Sequence, residues 1–130
     1  MFITSKANAQ KRERNGLTSF FLLDRRSEVA TGVETDLAVT WVTVEPGGRQ
    51  IPHHHEPEQV YVIVQGEGEM QVGSETQLVH AGDLVYIPSD LEHGIVNRGN
   101  DVLTYISAAT PPFDLTEAYD RGQLQSESYN

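Results

Sequence analysis

The chain has 130 residues, a formal net charge of -10 at pH 7 and no cysteine. This length suits one domain with its own core, and the lack of cysteine excludes disulfides, cysteine-ligated metals and thiol catalysis. The acidic balance disfavours nucleic acid and anionic lipid as partners, and no stretch approaches the roughly 20 apolar residues of a membrane span.

The N-terminal end of the chain is predicted to be a flexible basic arm over residues 1–16, followed by one domain over residues 17–125. Six of the nine Lys and Arg residues lie within residues 1–26, together with only two acidic residues. Such a terminus is typically solvated, although a basic arm can also dock on an acidic surface. The start shows no basic stretch followed by an apolar run, so we expect no signal peptide and a cytoplasmic protein.

Glycine and proline divide the chain into short segments rich in β-branched residues. The turn residues 73–75 and 99–101 predict two hairpins, one joining residues 69–72 to 76–79 and one joining 94–98 to 102–107. The turns recur about every 8–12 residues and no long helical period is present, which predicts an all-β antiparallel sandwich or barrel. One short helix is expected at residues 115–121. The predicted strands cover residues 17–23, 37–44, 59–65, 69–72, 76–79, 84–87, 94–98 and 102–107.

The strand at residues 59–65 is apolar on both of its faces. Tyr61 and Ile63 share one face, and Val60, Val62 and Val64 share the other. A half-exposed strand would alternate apolar with polar residues. The valine face therefore needs cover from a second sheet or a second subunit, and we expect a homodimer.

Four of the five histidines fall in two places that a barrel could bring together. His53 and His55 lie two residues apart on an extended segment, so they share a face, whereas His54 points away. Gln59 can return to the same face after the turn, and His93 comes much later in the chain. Neutral imidazole is the commonest protein metal ligand. The alternative at this point is an exposed polar turn plus a hydrogen-bonded core histidine.

Two stretches resemble the paired motifs of the cupin superfamily. The first, over residues 47–66, reads Gly47-(five)-His53-x-His55-(three)-Gln59-(six)-Gly66, and the second, over residues 82–97, reads Gly82-(five)-Pro88-x-Asp90-(two)-His93-(three)-Asn97. The resemblance implies a small microbial cupin with a jelly-roll barrel, also described as a double-stranded β-helix. It also implies one divalent transition metal (Zn, Fe, Ni or Mn) held by His53, His55, Gln59 and His93.

Two positions depart from the family pattern. Asp90 stands where the family has glycine, and aspartate tolerates left-handed turn geometry better than most residues. Gln59 stands where the family has glutamate, which leaves a donor set of neutral ligands and a more strongly Lewis-acidic metal. Similar cupins with three histidines and one glutamine include uronate-handling enzymes of pectin degradation and polyketide cyclases.

These features predict a metal-dependent enzyme acting on a small oxygen-rich substrate by isomerisation, cyclisation or elimination. An iron-dependent dioxygenase and a non-catalytic metal- or small-molecule-binding cupin are the alternatives. The expected pocket residues are Trp41, Tyr61, Met70 and Tyr105. Tyr61 is one candidate for proton transfer, and Asp114, in a segment similar to the tail of uronate-type cupins, is a weaker one.

Overall fold

The computed structural model describes residues 1–24 and 35–110. Within these ranges the chain forms ten β-strands and one turn of 3₁₀ helix, Lys6–Asn8. None of the helical structure in these ranges is long and apolar enough to cross a bilayer. The strands are β1 Gln10–Arg14, β2 Leu17–Leu23, β3 Ala38–Val44, β4 Arg49–His53, β5 Glu58–Gln65, β6 Glu67–Val72, β7 Glu75–His80, β8 Leu84–Ile87, β9 His93–Val96 and β10 Leu103–Thr110.

The strands form two antiparallel sheets. One has six strands in the order β1-β2-β3-β10-β5-β8, and the other has four in the order β4-β9-β6-β7. The all-β antiparallel architecture predicted from the turn spacing is confirmed. The helix predicted at residues 115–121 lies outside the described residues.

The hydrophobic core lies between the two sheets. Large side chains of β3, β5 and β10 meet side chains of β6 and β9 there, and Val44, Ile95 and Leu103 have no solvent exposure at all. Burying side chains of this size contributes about 1.5–3 kcal/mol each relative to leaving them in water. Among the described residues, the core cluster comprises Leu17, Val42, Val44, Tyr61, Ile63, Met70, Val79, Ile87, Ile95, Leu103 and Tyr105.

One predicted hairpin is confirmed and the other is wrong. β6 and β7 pair across the turn at Gly73, as expected. β9 and β10, predicted to pair, instead belong to different sheets, because the chain crosses between the sheets after β9. Asn97 holds this crossing. Its amide nitrogen donates to the carbonyls of Val44 (2.9 Å) and Asp101 (2.8 Å), and its side-chain oxygen accepts from the Gly99 amide at 3.0 Å.

The basic N-terminal segment contains a paired strand. β1 pairs with β2 over five residue positions, from Gln10 opposite Phe21 to Arg14 opposite Leu17. The turn between them places Asn15 and Gly16 at positive φ, 56° and 75°, the geometry that a tight two-residue hairpin requires. The arm predicted over residues 1–16 therefore includes the edge strand of the six-stranded sheet.

Candidate metal centre

Three histidines converge inside the protein. His53 ends β4 and His93 begins β9, and the two residues are direct partners in the β4–β9 pairing. His55 lies two residues after His53 in the chain. The ring centroids are 4.4 Å apart for His53 and His93, 4.9 Å for His55 and His93, and 5.5 Å for His53 and His55. One nitrogen from each ring lies within 4.8 Å of the others, and all three residues are buried.

Each ring presents the same nitrogen to the centre of the cluster. Nδ1 of His53, His55 and His93 lies 3.1, 2.9 and 2.9 Å from the backbone carbonyls of Ile51, Pro57 and Leu91. A carbonyl oxygen only accepts hydrogen bonds, so each Nδ1 carries the proton and each Nε2 keeps its lone pair. This backbone hydrogen bond is the arrangement that orients histidine ligands in metal sites. Nε2 of His93 is buried and has no hydrogen-bond partner among the described residues.

Gln59 joins the cluster from the start of β5. Its carbonyl oxygen lies 3.0 Å from Nε2 of His55, and its amide group donates to the Ser107 hydroxyl. With the His55 proton on Nδ1, this contact sets two lone pairs against each other. A positive charge between the two atoms would turn this repulsion into attraction. Two ligands bound at right angles to one metal ion at about 2.1 Å are themselves about 3.0 Å apart, so the donor set fits a metal ion.

Burial keeps the three histidines neutral. Removal from water lowers the pKa of His53 well below its usual value, with the nearby His93 and His55 as further causes. Burial likewise lowers the pKa of His55 and lowers that of His93 to about 4. A histidine must be neutral to bind a metal, so the cluster is in its ligand form at pH 7.

A narrow cavity adjoins Gln59 within the barrel. Its free volume is about 20 Å³, which accommodates about one water-sized group. Tyr61 and Tyr105 line it as a stacked pair, with ring centroids 4.3 Å apart. The Tyr61 hydroxyl donates to the side-chain oxygen of Gln50. The described polar residues of the lining are Ser19, Asp24, Thr40, Gln50, Gln59, Tyr61, Tyr105 and Ser107.

Not every predicted site residue reaches this cavity. Tyr61 and Tyr105 line it, whereas Trp41 lies on the opposite face of β3, where the Lys6 ammonium sits 5.6 Å from its ring centroid. Val42, the next residue along β3, is the one that points inward. Met70 is buried in the core and borders a separate groove near β7 and β8. Asp114 lies outside the described residues.

Sequence reasoning missed five of the described polar residues of the cavity lining, of which Gln50 and Ser107 show the reason most clearly; the five are Ser19, Asp24, Thr40, Gln50 and Ser107. Gln50 precedes His53 by an odd number of residues, so simple alternation puts it on the other face. The β4–β9 register shifts between Gln50 and His53, and this bulge turns both side chains inward. Ser107 carries no motif, and its position follows from its pairing opposite Tyr61 in the β5–β10 ladder.

The sequence profile of the cupin domain matches residues 40–108. Since this stretch is more than half of the chain, the protein belongs to the cupin family. The histidine cluster and the glutamine beside it lie within the matched residues.

Several curated proteins and solved structures are similar to this chain, and three of them serve as examples. An uncharacterized protein of Methanocaldococcus jannaschii is 36% identical over 83 residues, which is 63% of this chain and 65% of the relative. The dimethylsulfoniopropionate lyase DddW of Ruegeria pomeroyi is 37% identical over 51 residues, 39% of this chain and 34% of the lyase. The chain thus spans less than two thirds of either relative.

The structural likeness extends over most of the chain. The crystal structure of an RmlC-like cupin from Shewanella frigidimarina superposes with a TM-score of 0.73 at 19% identity, covering 88% of this chain and 94% of that one. At this level of identity the likeness shows the fold alone. The predicted cupin fold is therefore confirmed.

Proposed function

We propose that the protein is a metal-dependent enzyme that acts on a small, oxygen-rich substrate. The observation that carries this proposal is the convergence of three buried histidines, each with Nδ1 on a backbone carbonyl, beside the carbonyl oxygen of Gln59. His53, His55, His93 and Gln59 would hold one divalent metal. When bound, the metal would supply Lewis-acid polarisation of a substrate oxygen, undiminished by any anionic ligand.

The residues around the centre suit a substrate with carbonyl and hydroxyl groups. The cavity beside Gln59 is lined by hydroxyl and amide side chains that both donate and accept hydrogen bonds, among them Thr40, Gln50 and Ser107. Its volume of about 20 Å³ accommodates about one water-sized group, such as the oxygen of a substrate hydroxyl or carbonyl. Isomerisation, cyclisation and elimination are the reactions for which such a site is suited.

Tyr61 is the residue we assign to proton transfer. Its ring is almost completely buried, stacks on Tyr105 and lies 6.2 Å from the His93 ring. Its hydroxyl is held by Gln50 in the lining of the cavity. A phenol positioned in this way can give or take a proton at a substrate carbon or oxygen. A lyase, the dimethylsulfoniopropionate lyase DddW, is among the relatives of this chain, which supports elimination as one of these reactions.

The proposal is tested first by metal content. Protein purified without an affinity tag is measured by elemental mass spectrometry for the wild type, His93→Ala and the control His54→Ala. His54 stands between two of the cluster residues but is exposed. We expect about one equivalent of metal in the wild type and in His54→Ala, and loss in His93→Ala.

Activity is then measured on a panel of small hydroxy-carbonyl compounds, with and without oxygen. We expect turnover that does not need oxygen and that falls by about 10²–10⁴-fold in Tyr61→Phe, while metal content stays unchanged. Iron together with oxygen uptake would instead assign the protein to the dioxygenases. Bound metal without any turnover would favour a binding protein, and metal-free protein after reconstitution would overturn the site itself.

A further inference from the structure

One acidic side chain lies in the lining of the cavity beside Gln59. Asp24 directly follows β2, is only 6% exposed and lines this cavity. Among the described residues of the lining, it is the only one that carries a formal charge. Ligand pockets are mostly apolar and place a small number of polar or charged groups where they orient the bound molecule. Asp24 is therefore a candidate for contact with the substrate.

A bulge in β2 turns Asp24 toward the cavity. Phe21 lines the cavity, so regular alternation along the strand would put Leu23 there next. The pairing of β2 with β3 instead shifts between Phe21 and Leu23, and Leu23 lies opposite Val39. Residues directly opposite share a face, and Val39 is not among the described lining residues. The bulge thus puts a carboxylate where a leucine would otherwise stand, as bulges beside active sites do when they redirect a side chain.

Asp24 and Gln59 stand at the two ends of one row across the sheet. Ala109 lies opposite Gln59, and Ala38 lies opposite Ala109. Continuing the β2–β3 register by one residue sets Asp24 beside Ala38. All four residues line the cavity. The two alanines project little from the sheet, so they form a shallow floor between the carboxylate and a candidate metal ligand.

This floor lies at one end of the sheet. β3 begins at Ala38, and β10 ends one residue after Ala109. Strands about 4.8 Å apart place Asp24 and Gln59 roughly 14 Å apart at the backbone, a gap that the two side chains and a small sugar-sized compound can bridge. Only the reacting group of such a compound needs to enter the narrow cavity.

We infer that Asp24 binds the end of the substrate that lies away from the metal centre and selects against a negative charge there. This inference rests on the proposed function, because the metal centre fixes the other end of the substrate. An ionised carboxylate only accepts hydrogen bonds, and its two oxygens offer several lone pairs. It binds hydroxyl groups and repels a second carboxylate. The substrate class is therefore a neutral polyhydroxy carbonyl compound.

Asp24 also gives the site a negative charge that its candidate metal ligands lack. Three histidines and one glutamine are neutral, so a divalent metal held by them would attract anions of any kind. A compound with a carboxylate at its far end is repelled at Asp24. A neutral hydroxylated compound meets a favourable group at both ends. The carboxylate thus supplies the discrimination that the metal centre alone does not.

Binding of glucose and of glucuronate tests this selection. The two sugars share the same carbonyl end and differ only at the far carbon, which carries a hydroxyl in one and is a carboxylate in the other. Calorimetry measures both dissociation constants on metal-loaded wild type, Asp24→Asn and the matched control Asp101→Asn. Asp101 is exposed and precedes β10, at the end of that strand away from Ala109. We expect the wild type and Asp101→Asn to prefer glucose by about tenfold or more, and Asp24→Asn to lose most of this preference.

The alanine floor provides a second, independent variant. Valine is favoured in strands and Ala38 is only partly buried, so Ala38→Val keeps the test decisive if Asp24→Asn fails to fold. Its added methyl groups should weaken glucose binding by about tenfold or more while metal content stays constant. Circular dichroism and metal content verify that each variant is folded.

The outcomes separate this inference from the proposed function. A wild type that binds glucuronate as tightly as glucose, or that binds neither sugar, would overturn the inference. So would a folded Asp24→Asn that keeps the wild-type preference, even if the protein turns over compounds of the panel. Selective glucose binding that Asp24→Asn abolishes, without any turnover, would overturn the proposed enzyme and leave the role of Asp24 in place. Protein that takes up no metal would overturn both.

Discussion

Along residues 53–63, the side chains that point into the protein differ from those that point outward in both burial and chemistry. Every odd-numbered residue in this stretch is buried, and every even-numbered one is exposed or only partly buried. The inner positions carry neutral polar groups with assigned hydrogen bonds, such as His53, His55 and Gln59. The outer ones begin with the charged or polar residues His54, Glu56 and Glu58 and continue into the valines. One short stretch of chain therefore builds a candidate metal centre on its inner side and a partly apolar surface on its outer side.

The largest expected effect is a loss of stability at acidic pH, which acts through the buried histidines. An unfolded histidine has a pKa of about 6.5, and burial lowers that of His93 to about 4 in the folded protein. Between these two pKa values the histidine is protonated in the unfolded chain but neutral in the folded protein. The free energy of unfolding therefore falls as the pH falls below about 6.5. From pH 7 to pH 5 the metal-free protein should lose roughly 2 kcal/mol through His93 alone, and His53, whose pKa burial also lowers, should add to this loss.

Urea unfolding of the metal-free protein at pH 7, 6 and 5 measures this loss. His93→Gln should flatten the pH dependence, whereas the outer variant His54→Gln should leave it as in the wild type. A wild type equally stable at pH 5 and pH 7 would mean that the histidines are not held neutral by burial.

Metal removal should have the next largest effect on the free energy of unfolding, and this effect should depend only on the inward-facing ligands. The ligands come from two separated segments, so a metal binds the folded chain far better than the unfolded one. Free metal at about 100 times its dissociation constant adds about 2.7 kcal/mol to the free energy of unfolding. Thermal unfolding with added metal or with a chelator should show this difference in the wild type and in His54→Ala. The difference should vanish in His93→Ala, and a chelator without effect on the wild type would contradict the site.

Most of the site could be predicted from the sequence because it depends on local rules. His53 and His55 share a face through strand alternation, and His93 was placed with them by a motif spacing. The same rule of alternation identified the apolar outer side of β5. The alternation predictions needed only the period of a strand, whereas the placement of His93 rested on the resemblance to the second cupin motif.

The sequence-based predictions that failed share one physical cause, which is pairing between segments that are distant in the chain. The bulge in β4 that turns Gln50 inward depends on β9, and the inward position of Ser107 depends on its register against β5. The side of β3 on which Trp41 lies depends on which face of that strand meets the core. The crossing after β9 replaced a predicted hairpin. It is held in part by a hydrogen bond from the Asn97 side chain to the carbonyl of Val44, more than fifty residues away in sequence.

A pair of neighbouring substitutions sharpens the comparison between the two faces. Gln59→Glu adds a negative charge at the inner position, and Glu58→Gln removes one at the adjacent outer position. The inner change should raise metal affinity by roughly tenfold, because a carboxylate donates more charge to a metal than an amide oxygen does. The outer change should leave affinity within about twofold, since an exposed charge is screened by water and salt. Competition with a chromophoric chelator measures both, and equal affinities in the two variants would place Gln59 outside the metal's ligands.

The smallest effect on stability is expected at Asp90, a residue of the second cupin motif that contacts the first. The Asp90 amide donates to the carbonyl of His55 at 2.7 Å, and its carboxylate lies 4.0 Å from the outer histidine His54. Its φ of 61° is a left-handed conformation, which aspartate tolerates and β-branched residues do not. Asp90→Gly should therefore change the free energy of unfolding by less than about 1 kcal/mol, because it keeps the backbone hydrogen bond. Asp90→Val should cost more, about 1–3 kcal/mol.

Urea unfolding of both variants at pH 7 measures the difference. Equal stabilities would show that the backbone at this turn relaxes, and metal affinity measured on the same samples would reveal whether His55 moves with it.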